Sequence, residues 1–166
     1  VRSAQDMADA VFARQDGLDV AVLAAAVADF TPKTVAPQKI KKGTTAPTIE
    51  LTTTTDILKT LGTGPARPPI LVGFAAETND VEDNAHKKRV AKGCSFVVAN
   101  DVAAAGSGFD VDTNRVYFAR AAPASSSWWP ASPTETASKE AAATAIVNEI
   151  LVELVHNRAV KIPTPG

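Results

Sequence analysis

Three stretches constrain this chain more than any others: GLDVAVLAAAVADF, ILVGFAAE and SFVVAND, each an apolar run with almost no polar alternation. A strand with one wet face alternates polar and apolar residues. A run without that alternation is what a strand covered on both faces requires. Segments with helical spacing separate the runs. Buried strands alternating with helices predict an α/β domain with an open, mostly parallel sheet and flanking helices.

The remaining elements fit around that frame. Ser3 caps a helix expected through about Arg14, with Met7, Ala8, Val11 and Phe12 on one face. The β-branched segment TIELTTTT reads as a strand, one arm of an extended hairpin or flap with the segment around Lys39. Asp56 or Thr55 starts a short helix ended by Gly62, and a charged helix from about Asp80 to Lys92 stops at Gly93. VAAAGSGFDVDTN is expected to be a loop, RVYFAR a strand and APASSSWWPASP a polar loop. A final helix carries Ala143, Ile146, Val147, Ile150, Leu151 and Leu154 at helical spacing. Its cap is either Ser132, in a capping box with Glu135, or Ser138. The expected layout is one domain over 1–157 and a disordered tail over 158–166.

Composition narrows the function classes. A net charge of -1 gives no field for bulk nucleic acid or an anionic membrane, so any anion site must be local. A single cysteine, Cys94, excludes a disulfide framework and a cysteine-rich zinc site. No apolar run approaches the roughly 20 residues of a membrane span, and no signal-peptide pattern opens the chain. A cytoplasmic protein is expected. The chain starts at Val1 and enters a helix at once, which reads as the later part of something longer.

The polar residues suggest a site. The apolar runs end abruptly at Asp29, at Glu77-Thr78-Asn79 and at Asn100-Asp101. A carboxylate at the end of a buried strand costs desolvation unless it is paired or metal-bound. In open α/β sheets ligands bind at those carboxyl ends. For any single ending, ordinary loop chemistry is an even alternative. Lys33, Lys39, Lys41 and Lys42 sit in a segment stiffened by Pro32 and Pro37, with Gly43 as a hinge. Lys88 and Lys92, four apart, share one helix face. Lysines of this kind serve as point charges for phosphates. Other motifs fail on their own terms. Neither Gly62–Arg67 nor Gly106–Val111 has the last glycine of a dinucleotide fingerprint, and Arg115 stands where a calcium loop needs glycine. His86 and His156 read as surface residues, Cys94 as a small core residue, and Trp128 and Trp129 have no functional reading.

Together AAAVADFTP, VAPQKIKKG, GFAAET and VANDV, in this order and spacing, resemble the phosphopantothenate–cysteine ligase family of coenzyme A biosynthesis. The likeness is to the bacterial CTP-dependent type, usually fused behind a flavin-dependent decarboxylase, and it covers nearly the whole chain. The resemblance implies a Rossmann-like fold, a homodimer, and CTP with Mg2+, 4'-phosphopantothenate and L-cysteine as substrates. FMN would belong only to the fused decarboxylase. The implied reaction forms an acyl-cytidylate from the pantothenate carboxylate and CTP, releasing pyrophosphate. The cysteine amine then displaces CMP.

The same resemblance assigns roles. Asp29 matches the aspartate near the metal and triphosphate, and Lys39 the mobile-loop lysine of acyl transfer. Thr55, Asp56, Ile57 and Leu58 match a nucleotide-side stretch at a helix start, where backbone N–H groups suit an anion. Phe74 matches a nucleotide-contacting aromatic, Lys88 and Lys92 the triphosphate-side lysines, and Ala25 and Ala26 small site-lining residues. Asn100 lies in the element assigned to base or site architecture. The chain departs from the family in having Thr54-Thr55 where Asn-Pro is usual, and in lacking the opening strand and glycine-rich loop. CTP binding with weak or absent ligase turnover is therefore expected. Two rivals stay open: an NADP-dependent oxidoreductase, disfavoured because Tyr117 lacks a lysine four residues on, and a non-catalytic nucleotide-binding module.

Overall fold

In chain order the elements are α1 (Ala4–Phe12), β1 (Val20–Leu23), β2 (Phe30–Pro32), β3 (Leu51–Thr53), α2 (Ile57–Thr63), β4 (Ile70–Glu77), α3 (Val81–Lys92), β5 (Phe96–Asp101), β6 (Thr113–Asn114), β7 (Val116–Ala119), β8 (Ser127–Trp129), β9 (Ala137–Ser138) and α4 (Lys139–Val160). The computed structural model describes residues 1–42, 47–104, 111–122, 125–132 and 135–160. Five strands form one sheet in the order β1-β4-β5-β7-β8. The first three of these are parallel, and β7 and β8 continue the sheet antiparallel. An α/β fold with a mixed, mostly parallel sheet and flanking helices is thus observed.

The uninterrupted apolar runs of β4 and β5 follow from coverage on both faces. Leu71, Ala75, Val97 and Ala99 face a core completed by Ala8 of α1, Ile57 and Leu61 of α2, and Val81 and Ala85 of α3. Ile70, Val72, Phe96 and Val98 face the opposite side, where Ile146, Ile150 and Leu154 of α4 pack. Arg120 and Glu149 fasten that second layer through a two-pronged ion pair, Nε–Oε1 2.5 Å and Nη2–Oε2 2.7 Å, joining the end of β7 to α4.

The first run behaves differently. The expected strand continuing to Asp29 stops at Leu23, because β1 is an edge strand with only β4 beside it. Val22 is 45% exposed, and Ala24, Ala25 and Ala26 are exposed, so this run is not covered on both faces. Phe30–Pro32 instead pairs antiparallel with Leu51–Thr53 in a separate two-stranded ribbon. The flap therefore exists, but its partner arm is β2 rather than the segment around Lys39, and only the middle of TIELTTTT is strand.

Other expectations need revision too. SSWW is a strand, not a loop: β8 pairs with β7, which sends Trp128 into the core under α3 and Trp129 into the core under α4. Ser138 caps α4, its hydroxyl accepting from the Ala141 N–H at 3.1 Å. That helix seats Ala142, Ala145, Ile146, Ile150 and Leu154, whereas Ala143, Val147 and Leu151 face outward. It runs to Val160, and residues 161–166 lie outside the described residues. The glycine-containing stretch 105–110, and with it the loop expected there, also lies outside them, as does Gly43.

Gly62 does not end α2, which continues to Thr63; it is buried inside the helix for a packing reason. A Cβ there would lie 1.8 Å from the Lys92 carbonyl oxygen, which is backbone and cannot swing aside. Gly93, at φ 64, turns the chain out of α3 at the same contact. Gly62→Ala is therefore expected to cost about 2–3 kcal/mol by overpacking two helices. Urea denaturation measures this; a change below about 0.5 kcal/mol would mean that the two backbones do not meet there.

Candidate functional site

Where β1 ends, the chain leaves the sheet before it enters the β2–β3 ribbon, and α1, α2 and α3 converge around the gap. A cavity of about 1090 Å³ opens there. Its wall includes Ala25, Asp29, Thr55, Asp56, Ile57, Leu58, Phe74, Lys88 and Lys92. These residues come from separate elements, brought together because α2 and α3 pack side by side against the parallel strands.

Each side chain arrives by a local cause. Asp56 is the N-cap of α2, its Oδ1 accepting from the Lys59 N–H at 3.0 Å. The cap carboxylate thus already takes one of the first-turn N–H groups. Its other oxygen accepts from Lys92 Nζ, so the last turn of α3 is ion-paired to the N-cap of α2. Burial acts to raise the Asp56 carboxyl. Hydrogen bonds from Lys92 and the Lys59 N–H, with the Lys92 charge, outweigh it and hold the group below its usual range. Lys88, one turn earlier and half-buried, makes no ion pair with any described residue. Phe74 is half-buried, its ring packed beside the α4-side core while lining the cavity. Ile57 and Leu58 form an apolar floor against Gly73, where a Cβ would lie 2.8 Å from Leu58 Cδ2.

Asp29 sits at the cavity rim, exposed, and its carboxylate accepts no hydrogen bond from any described residue. No group of three or more His, Cys, Asp or Glu among the described residues could hold a metal. A single carboxylate fits Mg2+ carried largely by ligand phosphates, which is how that ion is commonly held.

Three expected site residues lie elsewhere. Ala26 is exposed and does not line the cavity, Lys39 is exposed in the connection between β2 and β3, and Asn100 is half-buried on β5 opposite Val116. The polar ends of β4 and β5 serve local turns: Glu77 accepts from Asn84 Nδ2 at 3.1 Å, and Asp101 Oδ1 from the N–H groups of Ala103 and Ala104. Conversely, Met7, Val11, Arg14, Leu18 and Thr54 line the cavity without having been singled out. The face Met7, Ala8, Val11 and Phe12 was visible in the sequence, but periodicity alone does not separate its core residues from Met7 and Val11, which also line the cavity wall.

The aromatic cluster is a separate, structural feature. Trp128 donates from Nε1 to Glu82 at 2.7 Å and carries the Arg115 guanidinium 4.2 Å above its ring. His86, expected at the surface, is half-buried with Nε2 3.1 Å from the Tyr117 hydroxyl. Cys94 is a core residue whose thiol burial pushes up to about 11, so it stays protonated near neutral pH.

Comparison with known proteins decides the family. Residues 1–154 match the model of the DNA/pantothenate metabolism flavoprotein C-terminal domain. The chain belongs to this family. One relative, the coenzyme A biosynthesis bifunctional protein CoaBC of Bacillus subtilis (strain 168), is 53% identical over 116 residues, which are 70% of this chain and 28% of that protein. The chain therefore spans under a third of that relative's length. The crystal structure of the C-terminal domain of a CoaBC protein matches at 34% identity with TM-score 0.64, covering 95% of this chain and 65% of that one. The DNA/pantothenate metabolism flavoprotein from Streptococcus pneumoniae matches at 17% identity with TM-score 0.68, covering 92% and 71%, a likeness of fold. No helix among the described residues of this family member is long and apolar enough to cross a membrane.

The Asp56–Lys92 pair makes a pH prediction with a definite sign. Because the folded carboxyl is held below its unfolded value of 3.8, the stabilisation is complete above about pH 4 and is lost as pH falls through the lower folded value. Asp56→Asn keeps a capping oxygen but removes the charge. The urea midpoint of the wild type is expected to exceed that of the variant at pH 7, and the gap to narrow by pH 3. A gap independent of pH would mean that the pair adds nothing beyond the cap.

Proposed function

We propose that this domain is the CTP-binding part of a phosphopantothenate–cysteine ligase in coenzyme A biosynthesis. The observation that carries the reading is that Asp29, Phe74, Lys88 and Lys92, distant in the chain, line one cavity in a member of this family. A cavity of about 1090 Å³ is slightly above the usual range of about 300–1,000 Å³ for ligand sites, room enough for a nucleoside triphosphate.

The roles follow from charge and placement. CTP brings about four negative charges, and Lys88 and Lys92 supply compact cations on one helix face against them. Phe74 offers an apolar wall. Asp29 is the group that would hold Mg2+ at the rim, and the ion when bound neutralises charge building on the phosphates. In the proposed reaction the carboxylate of 4'-phosphopantothenate attacks the α-phosphorus and pyrophosphate leaves, giving an acyl-cytidylate. The amine of L-cysteine then attacks the acyl carbon and CMP leaves, forming the amide and losing a proton. Lys39 lies outside the cavity wall, and its assignment to acyl transfer rests on the resemblance alone. A homodimer, and a fused FMN-dependent decarboxylase in the full-length protein, belong to the same proposal; the bifunctional relatives support the latter. The oxidoreductase reading is weaker, since Tyr117 packs against His86 and Trp128 and does not line the cavity.

Calorimetry with CTP, ATP and GTP, each with Mg2+ and with EDTA, tests the binding half. A pyrophosphate-release assay with 4'-phosphopantothenate and L-cysteine tests the chemistry. The expected result is Mg2+-dependent binding of CTP in preference to the purine nucleotides. Asp29→Asn should weaken it by about 1–3 kcal/mol, the scale of a lost charge-assisted contact, chiefly in the presence of Mg2+. Equal affinity of wild type and variant for Mg2+–CTP would remove Asp29 from the metal role.

A further inference from the structure

The Asp29 carboxylate has no side-chain support, and the chain on either side of it gives little. Residues 24–28 form no strand, and β2, which follows, is exposed along its length. What locates Asp29 must act through its backbone. Two hydrogen bonds do, and both come from Thr54. The Thr54 N–H donates to the Asp29 carbonyl at 2.9 Å, and its hydroxyl donates to the Ala28 carbonyl at 2.6 Å.

The first of these bonds extends the ladder of the ribbon, which closes at its other end with the Lys33 N–H donating to the Glu50 carbonyl at 2.9 Å. The second is an addition that no ladder supplies. It grips the carbonyl one residue before Asp29, so a single residue fixes two consecutive peptide units. Threonine suits the task because its β-branch limits χ1 and keeps the hydroxyl aimed. Thr54 is itself half-buried at the cavity wall, between the ribbon and the cap of α2, so it is anchored on the body of the domain.

We infer that Thr54 is a positioning residue: its hydroxyl clamps the Ala28–Asp29 backbone and so holds the Asp29 carboxylate at the metal side of the nucleotide cavity. The inference rests on the functional reading above, and it separates from that reading because the clamp exists without ligand. Thr54 contributes no group to the phosphates or the metal; it acts through Asp29. The consequence is a split between two affinities, with binding of the metal complex of CTP sensitive to the hydroxyl and binding of metal-free CTP much less so.

The test compares Thr54→Val, which keeps the shape and removes the donor, with Thr54→Ser, which keeps the donor. Calorimetry with CTP plus Mg2+ should show roughly a 5- to 10-fold loss for the valine variant, the equivalent of one hydrogen bond. With EDTA the loss should stay under about 2-fold, and serine should restore the Mg2+ value to within about 2-fold. Amide hydrogen exchange in residues 28–30 should accelerate in the valine variant and not in the serine variant, with an unchanged urea midpoint excluding general damage. Equal losses with and without Mg2+, or a serine variant no better than valine, would overturn the inference. If the wild type binds no CTP at all, the functional reading fails. The exchange comparison then decides the clamp by itself: unaltered exchange in Thr54→Val rejects it.

Discussion

Two helices touch through their backbones at Gly62, and the arrangement of the cavity depends on that contact. With a side chain at this position α2 could not approach the Lys92 carbonyl, since even a methyl carbon would lie 1.8 Å from that oxygen. The close approach brings the start of α2 within reach of the last turn of α3, which lets Asp56 serve at once as helix cap and as partner of Lys92. It also leaves Lys88, one turn earlier, directed at the same space. Packing of two glycines beneath the cavity thus determines the spacing of charges along its wall.

Those charges are unequal. Lys92 and Asp56 offset one another, so an anion entering the cavity meets a neutral pair there and, at Lys88, an ammonium with no ion-pair partner among the described residues. A lysine has three donors, and a phosphate oxygen can share Lys92 with Asp56 rather than displace it. On the proposed function, the electrostatic pull on an incoming triphosphate would come first from Lys88 and, were Asp29 to carry a cation, from the rim. The near-zero net charge of the whole chain agrees with this: attraction is confined to a few ångströms of wall and is not a property of the overall field.

The parts of the fold legible in the sequence were those where a single physical rule dominated. The runs over residues 70–75 and 96–99 are apolar because both faces are covered. The same rule misled at Val20–Asp29. A row of alanines and valines has the composition of a buried strand, but an edge position, with one neighbour and thin cover, is invisible in composition. Trp128 and Trp129 were hidden by the serines and prolines around them, although alternate burial of adjacent aromatics on opposite faces is ordinary strand behaviour. For the site, the family resemblance pointed to Asp29, Phe74, Lys88 and Lys92, and these four line one cavity. The contributions of α1 and Thr54 depend on which face of a helix or ribbon is left uncovered, and that is a property of tertiary packing.

A rim carboxylate that is to hold a cation, as proposed for Asp29, poses a conflict that the fold has to resolve. Burying Asp29 among hydrogen-bond donors would fix its position but would also satisfy its oxygens, leaving less to offer a cation. Leaving it exposed keeps both oxygens available, and the side chain then gains no fixed position of its own. Holding the backbone instead of the carboxylate meets both demands: the peptide units at Ala28 and Asp29 are tied, and the carboxylate retains its full coordinating capacity. The same division appears across the cavity in reverse, where Asp56 spends both oxygens on Lys59 and Lys92 and so serves as structure. Of the two aspartates in the wall, one is committed to the protein and the other, on the function proposed above, is kept for the ligand.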